Sequence, residues 1–186
     1  MVAFAALLAA TPLRADRIYW NDELASALIG KGVVNRRGQR LGEIADIVVD
    51  LRRGEARFAL VESGGVLGFL RAQRAFPFAW LAPAKRENAI LLDVASSELD
   101  AASRAPPPGL RATTLIGTTV YDSTGREAGE LRDLVVNLGD GKLRHAVIAL
   151  KRPERQVTIE PEMLGVSAGS VVVNMRYDDL RALVAP

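Results

Sequence analysis

Carboxylates recur at the same spacing in two places along this chain, and they are the side chains best suited to chemistry. The two sets are Glu43, Asp46 and Asp50 in the first place, and Glu130, Asp133 and Asn137 in the second. Grouped carboxylates can hold a hard cation or act as general acid and base. On a regular strand, however, Glu43 and Asp46 point to opposite faces, because their separation is odd. Unless the strand contains a bulge, we expect Asp46 and Asp133 to accept backbone or arginine hydrogen bonds at a sheet rim instead.

Other reactive side chains are scarce. The chain has no cysteine, which excludes disulfides, thiolate metal sites and cysteine nucleophiles. Its one histidine, His145, cannot build a multi-histidine metal site, and Phe58 occupies the equivalent position of the first set, which favours packing. The glycine-rich residues 64–68 lack the Lys-Ser/Thr of a phosphate loop. We therefore expect no catalytic residue, no metal and no cofactor.

The carboxylates belong to an internal repeat. Residues 28–63 align without a gap to residues 115–150, at an offset of 87, with 14 identities in 36 positions. Many other pairs are apolar exchanges such as Ile44 with Leu131. A period this long indicates two small domains rather than the turns of a solenoid. Each half is small, so we expect the halves to pack on each other or on a second copy in a homodimer.

Within each repeat, short apolar strands alternate with turns that close on glycine. Residues 41–51 show two faces. One face is apolar, with Ala45, Ile47, Val49 and Leu51; the other is mixed, with Ile44, Asp46, Val48 and Asp50. This is typical of a strand with one face on a core. The pattern predicts an all-β chain of two tandem small β-barrels, about six strands each, with short trailing helices at residues 96–103 and 178–183.

The chain ends and the linker divide the sequence further. Residues 2–10 form an apolar run of nine, too short to span a bilayer but matching a secretory signal cut near Ala15. A lipid-surface anchor and a packed terminal helix are the alternatives. Three prolines mark the linker. The predicted parts are a signal peptide at 1–15, a first barrel domain at 16–104, a Pro-rich linker at 105–110 and a second barrel domain at 111–186.

The order of these motifs resembles the PRC-barrel family, the small barrels of the photosynthetic reaction centre H subunit and of the C-terminal domain of a ribosome-maturation factor. The first copy carries Leu28-Ile29-Gly30, then Gly42 to Asp50, the glycine loop, and Phe76-Pro77-Phe78. The second copy matches over residues 115–150 and then departs, with Glu160-Pro161 where Pro-Phe is expected. The resemblance implies two six-stranded barrels in tandem that mediate contacts with proteins, without shared catalytic residues.

Two surfaces are candidates for contact with a partner. The first is aromatic and glycine-rich, with Gly64, Gly65, Leu67, Phe69, Phe76, Phe78 and Trp80; the second consists of two arginine turns, with Arg36, Arg37, Arg52 and Arg53. The three aromatic residues at 76, 78 and 80 share strand parity and would face either the core, as burial statistics favour, or a partner. Together with Arg40 and Arg57, these arginines would form one cationic patch only if both turns lay at the same barrel end; nearby acids favour solvated hairpin tips instead.

We expect this chain to be a non-enzymatic adaptor that docks on proteins or on an anionic membrane surface in the bacterial periplasm. The alternative is a cytoplasmic adaptor in RNA processing or ribosome assembly. Against an RNA-binding surface, the 24 basic and 22 acidic residues leave a net charge of only +2. A third hypothesis is an enzyme that binds a metal or small ligand through the strand carboxylates.

Overall fold

The computed structural model describes residues 21–63, 72–84, 88–92, 107–151 and 154–184. Within these ranges the strands are β1 Asp22–Leu24, β2 Gly32–Val34, β3 Arg40–Asp50, β4 Glu55–Ser63, β5 Ala72–Pro77, β6 Leu81–Pro83, β7 Ala89–Leu92, β8 Leu110–Arg111, β9 Thr119–Tyr121, β10 Glu127–Asn137, β11 Leu143–Lys151, β12 Glu154–Ile159, β13 Leu164–Ser167 and β14 Ser170–Val173. The helices are α1 Ala25–Leu28, α2 Ala112–Leu115 and α3 Tyr177–Ala182, and single 3₁₀ turns are formed by Leu51–Arg53, Phe78–Trp80 and Pro161–Met163.

The strands form two sheets, one for each repeat. In the described ranges, the first sheet has the order β5-β4-β3-β2-β7-β6, and the second has the matching order β12-β11-β10-β9-β14-β13. Neighbours run antiparallel except for β2 with β7 and β9 with β14, which are parallel. The prediction of an all-β chain with two tandem small barrels is confirmed.

Each sheet gains a seventh strand from the chain that leads into the other repeat. β1, which precedes the first repeat, pairs with β10 of the second, so that Asp22 lies opposite Asn137. β8, which precedes the second repeat, pairs with β3 of the first, so that Arg111 lies opposite Val48. The repeats therefore exchange a strand, and neither sheet is completed by its own sequence alone.

The two repeats also share a core and a pair of main-chain bonds. Buried apolar side chains from both sheets and from α1 and α2 belong to one continuous cluster. Between the hairpin turns, the N–H of Ala56 donates to the carbonyl of Gly141 at 2.8 Å, and the N–H of Leu143 donates to that of Gly54 at 2.9 Å. Because positions 54 and 141, and 56 and 143, are equivalent in the repeat, the two bonds form a symmetric pair. The halves pack on each other, as their size led us to expect.

Bulges change one predicted face. The ladder between β3 and β4 shifts register between Ile44 and Asp46, and the ladder between β10 and β11 shifts between Leu131 and Asp133. An extra residue reverses the alternation of side chains along a strand. Ile44 is therefore fully buried in the core, on the same side as Ile47. Its predicted place on the mixed face with Asp46 is wrong, because the bulge interrupts the alternation between these two residues.

The remaining predictions on local structure divide between described and undescribed residues. Helix α3 occupies the range predicted for the second trailing helix, within one residue at each end. The first trailing helix at 96–103, the signal peptide at 1–15 and the glycine loop at 64–68 lie outside the described residues. Among the helices that the structure describes, none combines the length and the apolar character that crossing a membrane requires.

Candidate functional site

The repeated aspartates bind the short helix of the opposite repeat. Asp46 in β3 accepts hydrogen bonds from the backbone N–H of Thr113 at 3.2 Å and from its hydroxyl at 2.6 Å. Asp133 in β10 accepts the same two bonds from Ser26. Thr113 and Ser26 are the second residues of α2 and α1, at equivalent positions of the repeat, so each repeat holds the other by the same contact.

The bulges place these carboxylates and complete their set of donors. Asp46 also accepts from the N–H of Ile47 at 2.7 Å, and Asp133 accepts from the N–H of Leu134 at 2.8 Å. Arg111 Nη1 lies 3.6 Å from Asp46 Oδ2. Both aspartates are only 6% exposed. Both aspartates accept backbone hydrogen bonds, as predicted, and the predicted arginine contact is found at Asp46. In the part of the chain that the structure describes, no three His, Asp or Glu side chains are grouped as a metal site would need.

The third member of each acidic set ends its strand. Asp50 accepts from the N–H of Arg53 at 3.2 Å and pairs with its guanidinium at 3.2 Å. Asn137 donates to the carboxylate of Asp22 at 2.6 Å and accepts from the N–H of Gly139 at 2.8 Å. Both side chains therefore stabilise the turn that follows the strand, and Asn137 also fixes the exchanged strand β1.

The two arginine turns lie at opposite ends of β3. Arg36 and Arg37 occupy the turn before this strand, whereas Arg52 and Arg53 follow its last residue. Eleven extended residues span roughly 30 Å at about 3.3 Å per residue. All four side chains are exposed, but they do not form the single patch that turns at one barrel end would have produced. The reason is that β3, although it contains bulges, continues as one strand between the two turns.

The three aromatic candidates that the structure describes lie at the core. Phe76 and Phe78 are buried, and Trp80 is half-buried against the same cluster. The assumption that they share strand parity was wrong, because β5 ends at Pro77 and a 3₁₀ turn follows. His145 is half-buried on β11 opposite Val135, at a sheet position that Phe58 fills in the first repeat. The candidates outside the described residues are Gly64, Gly65, Leu67 and Phe69.

A groove with a cavity volume of about 470 Å³ lies where the repeats meet, and we call it the junction groove. It is bounded by the end of β3, the linker before β8, the start of β4 and the strand β13. Its lining residues are Val49, Asp50, Leu51, Arg52, Arg57, Pro108, Gly109, Leu110, Leu164, Gly165 and Val166. Val166 is 42% exposed, which is high for a large apolar side chain.

A further carboxylate fixes the C-terminal helix. Asp122 accepts from the hydroxyl of Thr124 at 2.6 Å, from the N–H of Arg126 at 2.9 Å and from the N–H of Tyr177 at 3.0 Å. The Thr124 hydrogen bond, together with the backbone donors, holds the pKa of Asp122 well below its usual range although burial opposes this. The Arg126 guanidinium lies 4.0 Å from the centre of the Tyr177 ring. Asp122 is thus a structural anchor for α3.

Sequence reasoning missed the junction between the repeats. The aligned window began at Leu28, but the equivalence continues upstream, where Ala25 matches Ala112 and Ser26 matches Thr113. A preserved hydroxyl at a helix start was the signal that could have identified the partner of each repeated aspartate. The exchanged strands themselves are three and two residues long, too short to produce a periodic pattern.

Comparison with known families gives two matches. A model described as the PRC-barrel domain matches residues 21–99 and again residues 107–180, which together make up well over half of the chain. Each matched segment includes the strand that its repeat lends to the opposite sheet, β1 in the first and β8 in the second. No curated protein matches the chain.

Proposed function

We propose that this chain, which belongs to the PRC-barrel family, is a non-enzymatic adaptor that docks on proteins or anionic membrane surfaces in the bacterial periplasm. The family is in general one of binding modules. The observation that carries the proposal is the use of Asp46 and Asp133. These are the carboxylates best suited to chemistry, yet both are buried and accept bonds from the opposite repeat. A carboxylate saturated by internal donors offers little to a substrate or a metal.

The strand exchange supports the same view. Because β1, β8 and the shared core tie the repeats together, their relative placement is fixed before any partner arrives. A preorganised surface loses less conformational entropy on binding than one that must order itself. The fixed arrangement of the two repeats therefore favours a role in binding a partner over a role in moving a substrate.

Export is supported by the apolar residues 2–10 and the small residues that follow them. The test is fractionation of the native host expressing a chain tagged at its C-terminus, with N-terminal sequencing of the product. We expect a periplasmic protein that begins near residue 16. A matched variant with Leu7→Arg and Leu8→Arg should stay in the cytosol uncleaved. Wild-type protein that is uncleaved in the cytosol would contradict export.

The binding role is tested by cross-linking the tagged chain in the periplasm and recovering its partner under denaturing conditions. We expect one dominant protein or sedimentation with anionic membranes.

The enzymatic alternative is tested by thermal unfolding with millimolar Ca²⁺, Mg²⁺, Mn²⁺ or Zn²⁺, since an ion that binds the folded state raises Tm. We expect no change; a rise of several degrees that Asp46→Asn abolishes would overturn the non-enzymatic assignment.

A further inference from the structure

Equivalent arginines stand beside the two exchanged strands, and in the second repeat this arginine is compensated internally. Arg144 Nη2 lies 2.6 Å from a carboxylate oxygen of Asp140 on the preceding turn. Its Nε lies 3.7 Å from a carboxylate oxygen of Asp22 in the exchanged strand β1. The second repeat therefore supplies two carboxylates around this guanidinium.

The equivalent arginine of the first repeat, Arg57, has neither carboxylate. At the offset of 87, Gly109 stands in place of Asp22 and Arg53 in place of Asp140. Arg57 is exposed, with its guanidinium 5.6 Å from the centre of a phenylalanine ring, and Arg52 is exposed beside it. In the described ranges, no hydrogen bond or ion pair reaches the side chain of either arginine. The one carboxylate that lines the groove with them, Asp50, is engaged by Arg53.

Both arginines line the junction groove, whose floor is apolar. Val49 and Leu51 from the first repeat and Leu164 from the second are buried there, and Leu110 is half-buried. Above this buried floor, Leu110 and Val166 remain partly open to solvent, so an occupant with apolar side chains would cover these two residues while its charged groups reached the groove rim. The combination of an apolar floor and two uncompensated guanidiniums specifies a ligand that is both apolar and anionic.

The wall of the groove is the strand β13, which ends the second sheet. β14 occupies one side of β13, and Ser167 pairs with Ser170 across a two-residue turn in which Ala168 and Gly169 have positive φ. Since hydrogen-bonded pairs alternate along an antiparallel ladder, the N–H and C=O of Val166 point away from β14. Such an edge is a template for one more strand.

We propose that the junction groove binds an extended acidic segment of a partner protein, which adds to the edge of β13 and places a carboxylate against Arg52 and Arg57. The proposal rests on the adaptor function proposed above and names its site and partner chemistry. Alternate side chains of the segment point into the groove and cover the exposed parts of Leu110 and Val166, as the period of a strand allows. Arg144 is not available for the same role in the second repeat, because Asp22 and Asp140 already neutralise its guanidinium.

The test is a titration of the full chain, labelled with ¹⁵N and with ¹³C in its methyl groups, with the peptide acetyl-Val-Glu-Val-Glu-Val-Glu-Val-amide. The matched control peptide has Gln in place of Glu. We expect shifts of the Gly165 and Val166 amides and of the Leu164 methyls, and about tenfold tighter binding of the Glu peptide. The double variant Arg52→Gln, Arg57→Gln should lose that factor of about ten, as expected when two exposed charge contacts are removed.

Two further variants separate the groove from general charge effects. Arg155→Gln, on the exposed part of β12, should bind the Glu peptide as the wild type does. Arg53→Asp places a carboxylate four residues before Arg57, as Asp140 stands before Arg144, and should abolish the preference for Glu while circular dichroism stays unchanged.

Three results would overturn the proposal: equal affinity for the Glu and Gln peptides, shifts away from β13, or an unchanged affinity in the Arg52→Gln, Arg57→Gln variant. Equally tight binding of a uridine oligonucleotide that depends on the same two arginines would overturn the assignment to a peptide. If the peptide fails while periplasmic cross-linking still recovers a partner, the groove assignment falls and the adaptor function stands. If both fail, the adaptor function falls as well.

Discussion

At the junction the two repeats make equivalent contacts, whereas the arginines beside the exchanged strands have different surroundings in the two repeats. Asp46 holds Thr113 through the same two bonds that join Asp133 to Ser26. Beside the junction, Arg144 of the second repeat lies near two carboxylates, whereas the positions equivalent to those carboxylates in the first repeat hold a glycine and an arginine. The contacts that join the halves occur in both repeats because both contribute to the stability of the junction. A surface position does not carry this structural requirement, so its residue can differ between the repeats.

The hairpin turn before the long strand shows a second divergence. In the second repeat Asp122 reaches beyond its own turn to the N–H of Tyr177 at the start of α3. In the first repeat its equivalent, Asn35, accepts bonds from Arg37 and Gln39 within the turn. One turn therefore carries a titratable anchor for a helix, and the other carries a neutral side chain that closes a local loop.

The largest effect should come from equivalent core positions, which test whether the junction makes one cooperative unit. Ile47→Ala and Leu134→Ala remove fully buried side chains from the same cluster, and each should lower the free energy of unfolding by about 3 kcal/mol. Urea unfolding followed by fluorescence and by far-UV circular dichroism should give one coincident transition in both variants. Two separate transitions, with only the mutated half destabilised, would contradict a shared core.

The next effect concerns the equivalent contacts of Asp46 with Thr113 and of Asp133 with Ser26, which we call the two clasps. Asp46→Ala and Asp133→Ala leave buried donors unpaired and should each cost about 2 kcal/mol. The matched partners are Thr113→Ala and Ser26→Ala, and double-mutant cycles should give similar coupling energies on both sides. A coupling near zero on one side would show that the two clasps are equivalent in geometry but not in energy.

The Asp122 anchor should make the stability of the cooperative unit sensitive to acid. Its pKa is lowered in the folded state, so its stabilisation is complete above about pH 4, the unfolded value, and is lost as the pH falls below that value toward the folded pKa. Asp122→Asn should be less stable than the wild type at pH 7, and the gap should narrow below pH 4. Urea unfolding at each pH measures it, with the exposed Asp179→Asn as the control. A gap that stays constant down to pH 2.5 would rule out the titration.

The sequence carried enough information for the strands but not for their pairing across repeats. Alternation along residues 41–51 and glycines at the turns predicted β3 and the hairpins, because a two-residue period and a positive φ are local properties. The bulge beside Ile44 is set by the register of β4, which no local pattern records. The same holds for Phe78, which packs in the core from a 3₁₀ turn instead of a strand.

The junction groove shows why the site was harder to predict than the fold. The sequence groups Arg52 and Arg57 with Arg36 in one arginine patch, whereas the structure separates Arg36 from them and places both in a groove lined by β13. That grouping depends on strand exchange, which brings Gly109 next to β3, where the Cβ of any other residue would lie 2.5 Å from a Val48 methyl carbon. Residues that strand exchange brings together in one groove have no regular spacing in the sequence by which they could be recognised.

The smallest effect concerns the two equivalent arginines beside the exchanged strands, Arg144 and Arg57. Arg144→Gln removes an ion pair with Asp140 and should lower the free energy of unfolding by about 1 kcal/mol, because its side chain is only 25% exposed. Arg57→Gln at the equivalent position should change it by less than about 0.5 kcal/mol, since this exposed side chain has no carboxylate partner among the described residues. Urea unfolding of both variants at low and high salt measures the difference. If Arg57→Gln lowered the free energy of unfolding as much as Arg144→Gln, Arg57 would have a structural role within the chain. Its presence could then no longer be explained by binding to an acidic partner.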